Sequence, residues 1–206
     1  MNTKKPAGVI LVGGRSSRMG VNHKALVELN GRSLLARVID SLQPQSDSLL
    51  LSCESETDKF DSFGLPVVPD LLPHHRGPLT GLCSALQYLV ETGQDNGLVL
   101  CPCDAPFIPE NLVQTLVAAG QGQDKPVVVI SYQGALQPTF SLWQIHHLSV
   151  IREALINQGM GGLKHVLTLL PHVVVEWEEV EPSPFFNVNT PAELESAALW
   201  LDRMHL

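Results

Sequence analysis

The chain has 206 residues, of which 44% are hydrophobic, so its length suits one complete α/β domain, residues 1–206, and is short for two. Its formal net charge of -8 excludes a basic face broad enough for nucleic acid. No apolar run approaches the ~20 residues that cross a bilayer, and the N-terminus lacks the apolar region and cleavage site of a secretory signal. We therefore expect a cytoplasmic protein that contacts neither nucleic acid nor membrane.

The four cysteines are Cys53, Cys83, Cys101 and Cys103, and all lie in or beside predicted core elements. This placement differs from the loop spacing of a secreted disulfide scaffold, so reduced thiols are expected. Cys101 and Cys103 flank a proline, but no second cysteine pair or well-spaced histidine pair completes four zinc ligands. Structural zinc is therefore not expected.

Apolar runs and helical patterns alternate through the first half of the chain, which indicates βαβ units and a mainly parallel sheet. Strands are predicted near residues 8–12, 48–52, 66–68 and 97–101. Helices are predicted near residues 33–42 and 79–90 from their apolar periodicity. A further helix is predicted at Pro109, which suits a first helical position.

The second half of the chain contains two adjacent extended runs, and this pattern predicts a mixed sheet. Two extended runs, 126–132 and 135–142, are separated by Gln133-Gly134, which favours an antiparallel hairpin. Helices are predicted near 143–157 and 163–170, followed by a strand at 172–177. The last helix has Thr190 as N-cap, Pro191 at its first position and Glu193 to complete a capping box. The predicted fold class is a three-layer α/β/α domain with a mixed, mainly parallel sheet.

A glycine-rich loop follows the first strand and is the most informative segment of the chain. Gly13 and Gly14 let backbone N–H groups approach an anion closely, while Arg18 and Lys24 supply positive charge where a triphosphate would lie. The first 27 residues contain no Asp or Glu, although the whole chain is acidic. The spacing matches neither a P-loop nor a dinucleotide fingerprint. It predicts a phosphate-binding loop in which Lys24 is exposed.

Polar residues also follow the other parallel strands. Because ligands of open α/β sheets bind beyond the carboxyl ends of the strands, the glycine-rich loop, Ser52, Asp70 and Asp104 should line one crevice. Mg²⁺ on phosphates is usually held by one or two carboxylates with substrate oxygens and water. Asp104, which ends an apolar strand abruptly, is the candidate ligand. The alternative role for Asp104 is a turn residue that bonds its own backbone.

Five motifs in order resemble those of the molybdenum cofactor guanylyltransferases, a MobA-like nucleotidyltransferase family. The loop resembles the family pattern L-A-G-G, x-S-x-R-M-G and a following lysine, and further elements resemble P-C-D-x-P, G-P-L-x-G and N-x-N-T-P. The matching residues are Leu11-Val12-Gly13-Gly14, Ser16, Arg18, Met19, Gly20, Lys24, Gly77-Pro78-Leu79-Thr80-Gly81, Pro102-Cys103-Asp104-Ala105-Pro106 and Asn187-Val188-Asn189-Thr190-Pro191. The resemblance extends from Val9 to about Leu199.

The resemblance implies a Rossmann-like nucleotidyltransferase fold and transfer of GMP from GTP to the terminal phosphate of molybdopterin that carries molybdenum. The products are the molybdopterin guanine dinucleotide cofactor and pyrophosphate, and the cofactor is Mg²⁺. Transient contacts with molybdenum-insertion and molybdoenzyme-delivery proteins are also expected. Gly13-Gly14, where cytidylyl relatives tend to have Ala-Gly, and Gly77-Pro78-Leu79 favour the guanylyl branch.

Roles for individual residues follow from the resemblance and from substrate chemistry. The triphosphate is assigned to the N–H groups of Val12, Gly13 and Gly14 with Arg18 and Lys24, and Mg²⁺ to Asp104. Guanine is placed near Leu11, Ser52 and Asp70 because its N1–H and amino group are donors that need an acceptor. The pterin substrate is assigned to Gly77, Gly81, Gln137, Asn187 and Asn189. The proposed catalytic residues are Lys24, Arg18 and Asp104.

Two positions depart from the family pattern. His23 stands where an Asp usually precedes the loop lysine, and Ser52 stands where an Asn is often seen after the second strand. These departures leave open a weaker turnover and a relaxed base specificity. The alternatives are therefore a related nucleotidyltransferase that uses CTP or a sugar phosphate, and a non-catalytic nucleotide-binding homologue.

Overall fold

The computed structural model describes residues 4–12, 23–54, 57–71, 77–122, 124 and 126–204. Within them lie nine strands and six α-helices. The strands are β1 (Ala7–Leu11), β2 (Glu28–Leu29), β3 (Arg32–Ser33), β4 (Leu49–Cys53), β5 (Val67–Pro69), β6 (Leu98–Pro102), β7 (Val127–Tyr132), β8 (Ala135–Trp143) and β9 (His172–Trp177). The helices are α1 (Leu34–Leu42), α2 (Pro78–Glu91), α3 (Leu112–Gly120), α4 (Leu148–Ile156), α5 (Leu163–Leu167) and α6 (Pro191–Met204).

Seven of these strands form one sheet in the order β5-β4-β1-β6-β8-β7-β9. All of them run in one direction except β8, which is antiparallel to both of its neighbours. The central strands β1, β4 and β6 are buried along nearly their whole length. Such continuous apolar runs form parallel strands that are covered on both faces.

Helices cover both faces of the sheet, which confirms the predicted three-layer α/β/α class. Apolar side chains of α1 and α3 form one core with one face of the sheet. Those of α2, α4 and α5 form a second core with the opposite face. Helix α6 contributes Ala197 and Leu201 to a smaller cluster beside the β2–β3 hairpin.

Most predicted elements are confirmed to within one or two residues, including β9, whose bounds agree fully. The hairpin between β7 and β8 turns at Gln133 and Gly134, with φ of 51° and 72°. Positive φ at both positions is what a two-residue hairpin turn requires. All four cysteines are buried.

Three predicted boundaries are wrong. The helix predicted at 163–170 ends at Leu167, three residues early. Helix α3 begins at Leu112 with Asn111 before it, so Pro109 lies outside the helix, where its carbonyl accepts hydrogen bonds from the Leu112 N–H at 3.2 Å and from the Gln45 side-chain amide at 2.8 Å. Trp143, predicted to begin a helix, is the last residue of β8, and a short 3₁₀ turn (Ile145–His147) precedes α4. The fully buried Trp143 ring packs in the second core, so tertiary burial decides its conformation.

No helix in the described part of the chain combines the length and the apolar character needed to span a bilayer.

The strand order positions the site. Strands β4 and β5 lie on one side of β1, whereas β6 lies on the other. The chain therefore runs outward from β1 to β4 and β5 and then returns across the sheet to β6, so the strand order reverses at β1. Open α/β sheets bind ligands at such a switch point, beyond the carboxyl ends of the strands. The described residues that directly follow these strands, Val12 after β1, Glu54 after β4, Asp70 after β5 and Cys103 after β6, all lie at that edge.

Candidate active site

Lys24, Asp104 and Asn189 meet at the carboxyl edge of the sheet. The Lys24 ammonium forms an ion pair with Asp104 Oδ2 and donates a hydrogen bond to Asn189 Oδ1 at 2.6 Å. The Lys24 and Asp104 side chains are each 15% exposed. Three segments that are remote in sequence therefore present one cation, one carboxylate and one amide to the same point.

Backbone hydrogen bonds hold the loop after β6 in this position. The Cys103 N–H donates to the Leu11 carbonyl at 3.1 Å, which ties the loop to the end of β1. The Val188 N–H donates to the Asp104 carbonyl at 2.9 Å. The Asn187–Asn189 segment is therefore fixed directly beside Asp104.

Glu193, in the first turn of α6, orients the asparagine segment. Its Oε2 accepts a hydrogen bond from the Asn189 N–H at 2.7 Å, and its own N–H donates to Thr190 Oγ1 at 3.3 Å. The Asn189 amide also donates to the Asn187 carbonyl at 3.1 Å. The predicted cap residues thus carry a second role, because the carboxylate that caps α6 also fixes Asn189.

Two oxygens of the site are buried without a hydrogen-bond partner among the described residues: Asp104 Oδ1 and Asn187 Oδ1. Buried acceptors are nearly always satisfied in native proteins, so each of these is available to a ligand. Carboxylate and amide oxygens are ligands that Mg²⁺ accepts. The residues at Asp104 therefore fit a divalent cation.

Protein groups alone would not complete a coordination sphere there. The described residues contain no cluster of three or more His, Cys, Asp or Glu side chains that could hold a metal ion. A cation at Asp104 would take its remaining ligands from substrate oxygens and water, which is how Mg²⁺ is commonly bound beside phosphates.

A second polar cluster lies on the other side of β1. The Ser52 hydroxyl donates to Asp70 Oδ1 at 3.4 Å, and the Val12 N–H donates to the Ser52 carbonyl at 2.9 Å. Burial raises the pKa of Asp70 to about 6; the Ser52 hydrogen bond opposes the rise and the charge of Glu54 adds to it. The Asp70 carboxylate is thus partly removed from water and ionised at neutral pH.

Gly81 closes this second cluster from the side of α2. A Cβ at this position would lie 2.6 Å from Leu11 Cδ2 and 2.7 Å from Ser52 Oγ, closer than real side chains approach. Any larger residue here would therefore displace the Leu11 and Ser52 side chains where α2 crosses the ends of β1 and β4. The structure brings together Leu11, Ser52 and Asp70, as the sequence predicted. It also places Gly81, which the sequence assigned to the pterin substrate, beside Leu11 and Ser52.

Gly77 precedes α2 with a φ of 132°, a conformation that favours glycine. Its missing Cβ makes room for the Gly161 carbonyl, which would lie only 2.5 Å away. The Leu79 N–H, in the first turn of α2, points to the same Gly161 carbonyl at 3.4 Å. The N-terminus of α2 is therefore partly engaged by the segment before α5.

Gln137 lies in the first half of β8, and its amide donates to the Ala135 carbonyl at 3.3 Å. Strand β8 pairs with β6 only between Trp143 and Ser141, so Gln137 extends past the end of that pairing. The described hydrogen bonds of Gln137 do not connect it to either cluster. Its role at the pterin stays a prediction.

Three predicted residues of the phosphate-binding loop, Gly13, Gly14 and Arg18, lie outside the described residues. The first described residue after this loop is His23, whose Nε2 lies 2.7 Å from Lys59 Nζ and whose ring contacts Phe60 edge-on. The sequence did not predict Lys59 at this position, because nothing in its spacing links it to the loop.

The expectation that Lys24 is exposed is wrong. Its ammonium is held between Asp104 and Asn189, and only 15% of its side chain is accessible. The motif identified the residue, but the burial results from convergence of segments that lie 80 and 165 positions away.

Comparisons with known proteins identify the family of the chain. Residues 8–175 match the model of the MobA-like NTP transferase domain. A molybdenum cofactor guanylyltransferase of Rhodopseudomonas palustris (strain BisB5) is 37% identical over 92% of this chain and 90% of its own length. One of Mesorhizobium japonicum is 33% identical over 96% of this chain and 97% of its own length.

Solved structures share the fold. Molybdopterin-guanine dinucleotide biosynthesis protein A from Archaeoglobus fulgidus superposes with a TM-score of 0.81 at 24% identity, covering 96% of this chain and all of that one. A manganese complex of a Mycobacterium tuberculosis H37Rv protein has a TM-score of 0.68 at 16% identity, covering 95% of this chain and 99% of that one. With a matched domain over most of its length and relatives above 30% identity, the chain belongs to the MobA-like NTP transferase family of nucleotidyltransferases.

Proposed function

We propose that this enzyme transfers GMP from GTP to the terminal phosphate of molybdenum-carrying molybdopterin, forming the guanine dinucleotide cofactor and pyrophosphate. Relatives named molybdenum cofactor guanylyltransferase match nearly the whole chain. The observation that carries the proposal is the meeting of Lys24, Asp104 and Asn189 at the sheet edge where nucleotides bind.

Lys24 and Asp104 neutralise each other in the structure. We infer that substrate binding exchanges partners within this pair. Asp104 Oδ1, already without a partner, would hold Mg²⁺ together with phosphate oxygens, and Lys24 would turn from Asp104 to the phosphates. Bound there, Mg²⁺ would neutralise phosphate charge and polarise the reacting phosphoryl group.

The acceptor needs no general base. Molybdopterin ends in a phosphate monoester, whose second pKa of ~6 leaves it largely ionised at neutral pH and already nucleophilic. Catalysis then consists of positioning and charge neutralisation. We assign these tasks to Lys24, to Arg18 and to the N–H groups of Val12, Gly13 and Gly14.

We assign the base to the second cluster. Guanine presents two adjacent donors, its N1–H and its amino group, which need acceptor oxygens. The Asp70 carboxylate supplies such an acceptor, and Ser52 and Leu11 lie beside it. Cytosine lacks the N1–H donor, so this pairing supports a preference for GTP.

We assign the pterin substrate to Gly77, Gly81, Gln137, Asn187 and Asn189. The buried, unpartnered Asn187 Oδ1 supports a polar contact there with substrate or with a cation-bound water. We further propose that residues 1–206 act as one domain in the cytoplasm, in transient contact with molybdenum-insertion and molybdoenzyme-delivery proteins.

The test of this function is pyrophosphate release with molybdopterin as acceptor, compared across GTP, CTP, ATP and UTP in the presence of Mg²⁺. Release that requires both the acceptor and GTP supports the proposal. Release of equal size with CTP would point to a cytidylyl enzyme, and nucleotide binding without release would point to a non-catalytic homologue.

A further inference from the structure

Strand β9 forms one end of the seven-stranded sheet. Each of its residues, from His172 to Trp177, pairs with β7 on one side. Among the described residues no strand pairs with its other side. A free strand edge carries unsatisfied N–H and C=O groups, which makes it a site where an extended peptide can add.

A groove adjoins the carboxyl end of this strand. It lies between β9, the segment that leads into α3 and the end of α6, and its volume is about 610 Å³. Apolar side chains line much of it, among them Phe107, Trp177, Val180 and Met204. Val180 and Met204 are 47% and 62% exposed, so the groove presents apolar surface to solvent.

Carboxylates provide the charge of this groove. Glu176, Glu178 and Glu181 line it, and its lining contains no Lys, Arg or His. Glu178 and Glu181 form no hydrogen bond or ion pair with any residue of the described segments. The groove therefore combines a free strand edge, exposed apolar surface and unpaired negative charge.

We propose that this groove, called here the β9 groove, binds an extended, basic segment of a partner protein. Its backbone would add to the free edge of β9, its apolar side chains would contact Trp177 and Val180, and its Lys or Arg residues would pair with Glu178 and Glu181. Charge complementarity favours this occupant over a second copy of the chain. Two β9 edges brought together would place like charges against each other, which is unfavourable.

The groove shares two chain segments with the candidate active site. Phe107 follows Asp104 in the loop after β6, and Pro184 precedes Asn187 in the segment before α6. A partner in the β9 groove would thus contact both segments that carry the polar groups of the site. Its docking surface nevertheless contains none of the residues assigned to catalysis or substrate, so the proposal does not depend on the enzymatic activity.

The experiment measures binding of a fluorescein-labelled peptide of about eight alternating lysine and valine residues to the full chain, by fluorescence anisotropy. The groove variant is Glu178→Lys with Glu181→Lys. The matched control is Glu91→Lys with Asp95→Lys, which changes the net charge equally at the end of α2, a helix on the opposite face of the sheet. Thermal melts establish that both variants fold like the wild type.

We expect saturable binding that the groove variant weakens by at least ~10-fold, the effect of removing two interface charge pairs, while the control binds like wild type. Two further peptides test the geometry: one with glycine in place of valine, and one with N-methylated backbone at alternate residues. Both should bind more weakly, since one lacks apolar side chains and the other lacks N–H donors. Absence of saturable binding, equal weakening by both charge reversals, or undiminished binding of either altered peptide would overturn the proposal.

Discussion

Lys24 and Asp104 form an ion pair, so substitution of either residue leaves the other charge without its partner. Both side chains are largely buried, and Asn189 completes the site on the lysine side. An unpaired charge in such a position is more costly than one on the surface. Substitutions here should therefore affect both turnover and stability.

Lys24→Ala should lower turnover by ~100-fold or more, because it removes a cation placed where charge develops on the departing pyrophosphate. It should also lower the free energy of unfolding of the metal-free protein by about 1–3 kcal/mol, since Asp104 loses its partner. Steady-state kinetics and chemical denaturation measure the two effects. Lys4→Ala, which removes an exposed lysine, is the control and should change neither.

Asp104→Asn should abolish metal-dependent turnover and leave the fold intact. The change is nearly isosteric, but it removes the charge on which Mg²⁺ binding depends. Activity measured across a Mg²⁺ titration, with a circular dichroism spectrum, checks both parts. An unaltered Mg²⁺ dependence would refute the metal assignment, and a global loss of structure would instead indicate a role for Asp104 in the turn.

The buried Asp70 predicts a pH effect on stability. Its pKa is raised from the ordinary value of 3.8 to about 6, chiefly by burial. Between about pH 4 and 6 the folded state then binds more protons than the unfolded state, so this group lowers the free energy of unfolding as pH rises through that window. Asp70→Asn removes this titration. The free energy of unfolding of the variant minus that of wild type, both measured at the same pH, should therefore be larger at pH 8 than at pH 4.

The same variant tests the base assignment. If the Asp70 carboxylate accepts from guanine, GTP affinity should fall as pH drops below about 6, the pKa of that carboxyl. Isothermal titration calorimetry at several pH values measures the affinity for GTP. Because Asp70→Asn has no carboxyl at this position, the pH dependence of its affinity gives the contribution from protonation of GTP itself. Parallel trends in the two proteins would remove Asp70 from the base site.

At the residue scale, motif spacing identified Lys24, Asp104, Asn187 and Asn189, and strand ends identified Ser52 and Asp70. The sequence did not predict which of these residues contact each other. Burial of Lys24, its bond to Asn189 and the second role of Glu193 all depend on contacts between remote segments. Spacing along a chain does not report such contacts.

At the scale of elements, helix α2 crosses closely over the ends of β1 and β4 at Gly81. Gly81→Ala would normally stabilise a helix by up to ~1 kcal/mol. Here the added methyl would meet Leu11 and Ser52 at under 3 Å, so the steric effect should dominate and lower both stability and GTP affinity. Melting temperature and nucleotide titration measure the two losses.

A second substitution controls this prediction. Ser52→Ala removes the hydroxyl that the new methyl would meet at 2.7 Å, so the double variant should recover part of the stability lost by Gly81→Ala. Additive effects of the two changes would show that the crossing tolerates a side chain there.

The elements themselves were predictable where local patterns are strong. Apolar periodicity located α1 and α2, and the Gln133-Gly134 pair located the hairpin. Predicted boundaries were wrong where local and long-range preferences disagree. Pro109 suits the start of a helix but begins a turn, and burial of Trp143 extends β8 into a segment that was predicted to be helical. The short β2–β3 hairpin was not predicted, because its two-residue strands leave almost no pattern.

At the scale of the whole molecule, the alternation of strands and helices predicted the α/β/α layers, but not the strand order. The position of β8 between β6 and β7, and hence the free edge of β9, follows from long-range pairing alone. That order places the two polar clusters on opposite sides of β1. A nucleotide bound across β1 would therefore have its base near Asp70 and its phosphates near Lys24 and Asp104.

The most direct test of the account is nucleotide preference in the complete reaction. With molybdenum-carrying molybdopterin as acceptor and Mg²⁺ present, pyrophosphate release should be at least ~10-fold more efficient in kcat/KM with GTP than with CTP, as one good differential contact allows. The product should be the guanine dinucleotide. Equal efficiency with the two nucleotides, or no acceptor-dependent release with GTP, would contradict guanylyl transfer by this chain.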